Sequence, residues 1–292
     1  MEHQNDIMEI SKLVKKQFNE DSVANILKLE LGLTNRSYRV DINAGSFVIR
    51  FPGEGTEEII NREDEYISNK LACDLSIDTN LLFFDKTGVK ISEFILEPLT
   101  MSPELLRQES NIIMAAEIFR KLHSCGVNTK VDFDVRDKID IYERFIIKNN
   151  IGFYDDYNER KKTVSELISI FHKPSDMVPC HNDPLCENWI YGNGRMYLID
   201  WEYAGMNDPI WDVSVLSVES SMEPEQDQIL LKSYLKRDPA ADDMRHFLAN
   251  KVLLDFLWSL WGKTRVPASG IEMEQYARER YDRMILNIEA LS

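Results

Sequence analysis

HNDPLCENWIYGNGRMYLIDWEY, residues 181–203, is the stretch from which the rest of the chain is read. Trp189–Tyr191 and Met196–Ile199 are strand residues around Gly192-Asn193-Gly194, whose composition is that of a tight turn. With Tyr191 opposite Met196, Asn188 falls opposite Ile199 and beside Asp200. With one more residue in the turn, Asn188 and Asp200 face each other. Either register brings an amide oxygen and a carboxylate within roughly 5 Å at the open end of a hairpin. A donor set of oxygens alone suits Mg²⁺ and not zinc. Asp183 stands five residues before Asn188, on the loop entering the hairpin, within reach of the same spot without serving as a ligand. A carboxylate near two Mg²⁺ ligands is the apparatus of phosphoryl transfer, in which the separate Asp accepts or orients the proton of the attacking hydroxyl.

At 292 residues the length points to about two domains. A chain that is 43% hydrophobic and 29% charged has the composition of a soluble globular protein. Its 34 Lys+Arg against 50 Asp+Glu give a net charge of -16, which repels nucleic acid and anionic membranes and tolerates a small cationic substrate. Cys73, Cys125, Cys180 and Cys186 form no CxxC spacing, so reduced thiols in a cytoplasm are expected. The opening MEHQNDIMEISKLVKKQF has no apolar signal-peptide region, and VLLDFLWSLW is short and interrupted by Asp255, so no membrane span is expected.

Along the chain, residues 7–18 read as an amphipathic helix. SYRVDI and SFVIRF form a hairpin around NAGS. TEEIINREDEYISNKLAC reads as a helix with Thr56 as N-cap, and NLLFFDKTGVKISEFI as a second hairpin turning at Asp85–Gly88. PELLRQESNIIMAAEIFRKLHSCG reads as one long helix stopped by Gly126, with further helices over 137–150, 158–172, 225–235, 242–262 and 271–290. The layout is α+β: a β-rich N-terminal lobe over residues 1–96 and a mainly helical C-terminal lobe over 97–292, with the small-molecule site expected in the cleft between lobes.

HNDPLCENW followed by LIDWEYAGMNDPIWD resembles the phosphotransfer motif and metal-binding segment of choline/ethanolamine kinases, closest to the bacterial choline kinases. The resemblance extends from LGLTNRSYRV to WSLWG and implies the two-lobed protein-kinase-like fold shared with aminoglycoside phosphotransferases. It implies ATP and Mg²⁺ as cofactors, Asp183 as catalytic base, and Asn188 and Asp200 as metal ligands. His181 would brace the loop and Asp212 would tie loop to helix. On the nucleotide side, it implies that Gly32, Thr34 and Asn35 lie over the phosphates. The family often has two adjacent glycines where this chain has Leu31-Gly32. Arg50, a charge in the apolar run FVIRF, needs a partner or a cleft; the family pattern pairs it with Glu65 rather than Glu63. SEFIL resembles the lobe connector, whose backbone at Glu93 and Ile95 would bind adenine.

The acceptor is read from two further features. Trp258 and Trp261, three apart on a helix, point to about the same face. DWEY and SVES supply Glu202, Tyr203 and Glu219. The resembling kinases hold choline with a Trp-x-x-Trp pair, a Tyr after the metal Asp and a Glu at this position. Aromatic walls hold a quaternary ammonium, which has no N–H, through cation–π attraction worth about 0.5–2 kcal/mol per face. The expectation is an ATP- and Mg²⁺-dependent choline kinase, with an ethanolamine kinase or an aminoglycoside or thiamine phosphotransferase of the same fold as alternatives. A non-catalytic kinase-like protein usually loses the base or a metal ligand, and this chain has all three. Monomer and homodimer both stay open.

Overall fold

The computed structural model describes residues 2–29, 35–53 and 60–291. The chain divides into two units, Met1–Ser102 with Cys186–Tyr203, and Pro103–Leu185 with Ala204–Ser292. The hairpin read above therefore groups with the N-terminal unit, although it lies far along the chain.

In the first unit, α1 (Glu2–Phe18) buries Ile10, Leu13 and Val14 with one face of a five-stranded antiparallel sheet, order β1-β2-β3-β5-β4. Its strands are β1 (Asn25–Leu29), β2 (Arg36–Ile42), β3 (Gly45–Phe51), β4 (Leu81–Phe84) and β5 (Lys90–Glu93). Alternation decides the faces. Tyr38, Val40 and Ile42 on β2 and Phe47, Ile49 and Phe51 on β3 fill this core. The residues between them, Val48 and Arg50, lie opposite Ser92 and Lys90 of β5 on the other face. α2 (Arg62–Asp74) is capped by Asn61, whose Oδ1 accepts the N–H of Glu63 (3.0 Å) and Asp64 (3.4 Å). Thr56, expected as the cap, lies outside the described residues.

β6 (Leu99–Thr100), β8 (Trp189–Gly192) and β9 (Arg195–Leu198) form a second, three-stranded sheet of the same unit. Tyr191 pairs with Met196, and Ile199 N donates to Asn188 O at 2.9 Å, so the hairpin adopts the first of the two registers considered. Asn193 (φ 50°) and Gly194 (φ 76°) make the two-residue turn. A Cβ on Gly192 would lie 2.3 Å from Ile95 Cγ2 and 2.8 Å from Leu96 O, so only glycine lets β8 approach the 95–97 segment.

The second unit holds α3 (Pro103–Leu106), α4 (Glu109–His123), α5 (Val135–Lys148), α6 (Tyr157–Phe171), α7 (Pro209–Glu219), α8 (Pro224–Leu235), α9 (Ala241–Ser269) and α10 (Ile271–Leu291). A two-stranded ribbon joins β7 (Val178–Cys180) to β10 (Gly205–Asn207). The helix expected over 103–126 is broken near Gln108: Asn111 Nδ2 turns back to Leu105 O at 2.8 Å and α4 starts afresh. α9 does not stop at Gly262, because that glycine serves packing. A Cβ there would meet Tyr276 Cδ1 at 2.9 Å and Ala277 Cβ at 3.0 Å of α10. Ala249, Val252, Leu253, Leu254, Phe256 and Leu257 make α9 the buried axis of this unit. Among the described residues, no helix is long and apolar enough to cross a membrane.

His172, just after α6, is 7% exposed, and its Nε2 lies 3.0 Å from Asn250 Oδ1. Burial pulls its pKa below the ordinary value, against the opposing charge of Asp208. The unfolded chain therefore binds a proton near pH 6.5 that the folded chain refuses. We expect unfolding free energy to be fully present above about pH 6.5 and to decline as pH falls below it. His172→Gln, which keeps an N–H for Asn250, reduces that slope in urea titrations at pH 7.5, 6.5 and 5.5; an unchanged slope contradicts the assignment.

Candidate active site

The cavity face of the first unit is built from the strand residues that alternation turns away from the core. A cavity of about 330 Å³ is lined by Val48, Arg50, Lys90, Ile95, Asn188 and Asp200, among others that include Asn35 and Glu93. Arg50 is 4% exposed and fully engaged on one edge. Its Nη2 donates to Glu65 Oε1 and to Gly88 O (3.2 Å), and its Nη1 donates to Asp200 Oδ1 (3.1 Å). Burial pulls the Arg50 pKa down, and Glu65, Asp200 and Glu202 more than offset it, so the guanidinium stays charged. Its Nε is buried and has no partner among the described residues. A buried donor of this kind costs about 1–3 kcal/mol unless a ligand or water meets it.

Around Arg50 lies a dense set of charges. Glu65 also accepts Arg62 Nη1 at 2.6 Å and has Lys90 Nζ at 3.9 Å. Glu202 accepts Asn35 Nδ2 at 3.2 Å and lies 3.7 Å from Arg62. Burial, with the charge of Asp200 added, pushes the Glu202 carboxyl up to about 7. Burial also raises Asp78, partly opposed by Lys90. Three cationic side chains thus share the space with four carboxyls, two of which burial pushes toward the neutral form; what suits a divalent cation here is the set of hard oxygen donors. Asn188 and Asp200 fit that role: both line the cavity, both offer hard oxygens, and Asp200 sits at φ 70°, a conformation Asp tolerates. Gly32 and Thr34 lie outside the described residues.

Asp183 belongs to the second unit, on a loop held from behind. Asp212, fully buried in α7, accepts His181 N on Oδ2 (2.8 Å) and Asn182 N on Oδ1 (2.7 Å). His123 Nε2 lies 3.1 Å from the same carboxylate, and its Nδ1 lies 2.9 Å from Tyr234 OH. Asn182 takes φ 68°, pinned by Asn207 Nδ2 on its Oδ1 (2.9 Å) and Trp211 Nε1 on its carbonyl (3.1 Å). Asp183 N donates to His181 Nδ1 at 3.3 Å, so His181 braces the backbone of the residue that follows the strained position. His123, Cys180 and Asp212 offer N, S and O within 4.8 Å of one another. Each is already hydrogen-bonded, Cys180 to Asn207 O and Asp208 O, and the group acts as a brace.

The second unit also carries the aromatic residues. Trp258 and Trp261 on α9 meet edge to face at 5.8 Å, and Trp261 meets Tyr276 of α10 the same way at 5.9 Å. Burial, with the charges of Glu219 and Asp183 added, lifts the Tyr276 phenol to about 12. Burial and Asp183 likewise raise Tyr142. Glu219 accepts Arg280 Nη2 at 2.6 Å. Tyr203 lies in the first unit, next to Glu202 in sequence.

Sequence reasoning missed Lys90, Arg62, Tyr142, Tyr276 and Arg280. Lys90 carried the signal used for Arg50, a charge inside an apolar strand. Asp255 within VLLDFLW carried the same signal for α10, where Arg283 (2.6 and 2.7 Å) and Arg280 (3.4 Å) hold it. The missed helix α7 was announced by Asp208-Pro209, with Asp208 Oδ1 accepting Ile210 N at 2.7 Å.

Comparison with known proteins is consistent with this arrangement. The crystal structure of a choline/ethanolamine kinase family protein from Mesorhizobium loti superposes with a TM-score of 0.79 at 31% identity, covering 91% of this chain and 88% of that one. The choline kinase LicA from Streptococcus pneumoniae superposes with a TM-score of 0.77 at 27% identity, covering 97% and 99%, and a LicA structure holds AMP. A spectinomycin phosphotransferase, at 14% identity with a TM-score of 0.65 over 96% and 98%, shares the fold alone, which is the α+β protein-kinase-like one. The family description "Choline/ethanolamine kinase" matches residues 26–285, and the chain belongs to the choline/ethanolamine kinase family of ATP-dependent phosphotransferases.

Proposed function

We propose that this chain is a choline kinase, transferring the γ-phosphoryl group of ATP to the hydroxyl of choline with Mg²⁺. The observation that carries the reading is the joint placement of Arg50, Asn188 and Asp200 in one cavity of a chain of this family. Asn188 and Asp200 would hold Mg²⁺, which when bound neutralises charge on the phosphates. Arg50, oriented by Glu65, presents its unpartnered Nε–H to a phosphate oxygen. Asn35 covers the phosphates, and the backbone at Glu93 and Ile95 takes the adenine; Gly32 and Thr34, which the family pattern groups with Asn35, lie outside the described residues. Asp183, its loop fixed through Asp212, accepts the proton of the acceptor hydroxyl.

Choline is favoured as acceptor by the aromatic row Trp258–Trp261–Tyr276. Glu202, Tyr203 and Glu219 complete the acceptor residues. The four free cysteines match a reducing cytoplasm. The test is an acceptor panel of choline, ethanolamine and an aminoglycoside with Mg-ATP and ADP release as readout. Choline is expected to give the highest kcat/KM; an aminoglycoside preference overturns the reading.

A further inference from the structure

On the choline-kinase reading Glu219 is the acceptor-side carboxylate, and a guanidinium already holds it. Arg280 of α10 donates from Nη2 to Glu219 Oε1 at 2.6 Å, and both side chains are largely buried, 8% and 17% exposed. The same guanidinium lies over the Tyr276 ring at 4.9 Å and donates from Nη1 to Asp255 Oδ1 at 3.4 Å. Asp255 has a second, closer partner in Arg283. Arg280 is therefore shared among the carboxylates of Glu219 and, at longer range, Asp255, and the Tyr276 ring, which meets Trp261 edge to face.

We infer that Arg280 sets the choice between quaternary and primary ammonium acceptors by occupying Glu219, so that the pocket holds its substrate by aromatic faces rather than by N–H bonds to a carboxylate. The inference rests on the choline-kinase reading above and deepens it. A quaternary ammonium has no N–H and is bound by ring faces and the net field. A primary ammonium needs acceptor oxygens, and a carboxylate engaged by a buried guanidinium gives up both charge and a lone pair. The pairing therefore penalises ethanolamine more than choline. Arg280 acts through Glu219 and is a positioning residue. Nothing in the local sequence announces it, since its partner lies 61 residues away.

The experiment measures kcat and KM for choline and ethanolamine on the full chain with Mg-ATP, in the wild type and four variants. Arg280→Met is expected to raise the ethanolamine-to-choline ratio of kcat/KM about tenfold, the size of one charge-assisted hydrogen bond, mainly through a lower ethanolamine KM. Arg280→Lys, which restores a cation, keeps the ratio near that of the wild type. Glu219→Gln combined with Arg280→Met returns it there. Glu219→Gln alone, which does not depend on Arg280→Met folding, is expected to lower kcat/KM for both amines together, because it leaves the buried Arg280 cation without its closest anion, and so to change the ratio less than about threefold. The inference is overturned if Arg280→Met turns over choline with an unchanged ratio, if its shift survives in the double variant, or if Glu219→Gln alone selectively removes ethanolamine activity. A wild type that phosphorylates neither amine overturns the choline-kinase reading itself; a wild type active on choline confines any failure to Arg280.

Discussion

Asp183→Asn lowers kcat with choline by about 10²–10⁴-fold while the fold and nucleotide binding persist. The substitution keeps the backbone N–H that Asp183 donates to His181 Nδ1, and it leaves His181 N and Asn182 N on Asp212. The loop therefore retains its shape, and only the carboxylate's ability to take a proton is lost. An amide of the same size still accepts a hydrogen bond from the acceptor hydroxyl, so KM for choline moves little and the loss falls on kcat. Steady-state kinetics alongside thermal unfolding separate this from destabilisation. A variant that folds and keeps near wild-type kcat removes Asp183 from the base role.

Asp200→Ala has an effect at least as large, about 10³-fold or more in kcat/KM, for two reasons that add. It removes an oxygen proposed to hold Mg²⁺, and it removes the anion that receives Arg50 Nη1. Arg50 keeps Glu65 and Gly88 O, so the guanidinium stays buried but is no longer fixed on the side facing Asn188 and Asp200. Raising Mg²⁺ should recover little of the loss, because the missing ligand and the misdirected Arg50 are independent defects. Asp200→Asn, which retains one neutral oxygen, falls between. A Mg²⁺ activation curve for Asp200→Ala that overlays the wild type contradicts the assignment.

The parts of the fold that the sequence revealed are those set by local alternation and turn chemistry. The hairpin 189–198 is one such case: its strands and its Asn-Gly turn were legible, while the choice between two registers came from the structure, which pairs Tyr191 with Met196 and Gly192 with Arg195. β2 and β3 are another, with Tyr38, Val40, Phe47 and Ile49 alternating inward and leaving Arg50 on the cavity face. What local pattern hid was interaction across distance. The helix expected over 242–262 runs on to Ser269, and Gly262 inside it is a packing contact with α10. Residues 103–123 looked like one helix and are two, because Asn111 turns its side chain back on Leu105 O. Periodicity also gave no sign that residues 186–203 group with the first unit while Asp183 stays with the second. In the candidate site, the grouping of Arg50, Asn188 and Asp200 on one cavity was legible from their residue types, while the base role of Asp183 is a proposal. Their supports were not: Asp212 reaches back 30 residues to Asn182, and Arg280 reaches back to Glu219.

The most direct measurement follows the phosphorus by ³¹P NMR as the full chain is incubated with choline, ATP and Mg²⁺. Loss of the ATP γ-phosphate signal matched by growth of a phosphate monoester that co-resonates with phosphocholine, absent without choline and absent with EDTA, is the predicted result. Release of inorganic phosphate alone, or no consumption of ATP in the presence of choline, would contradict the account.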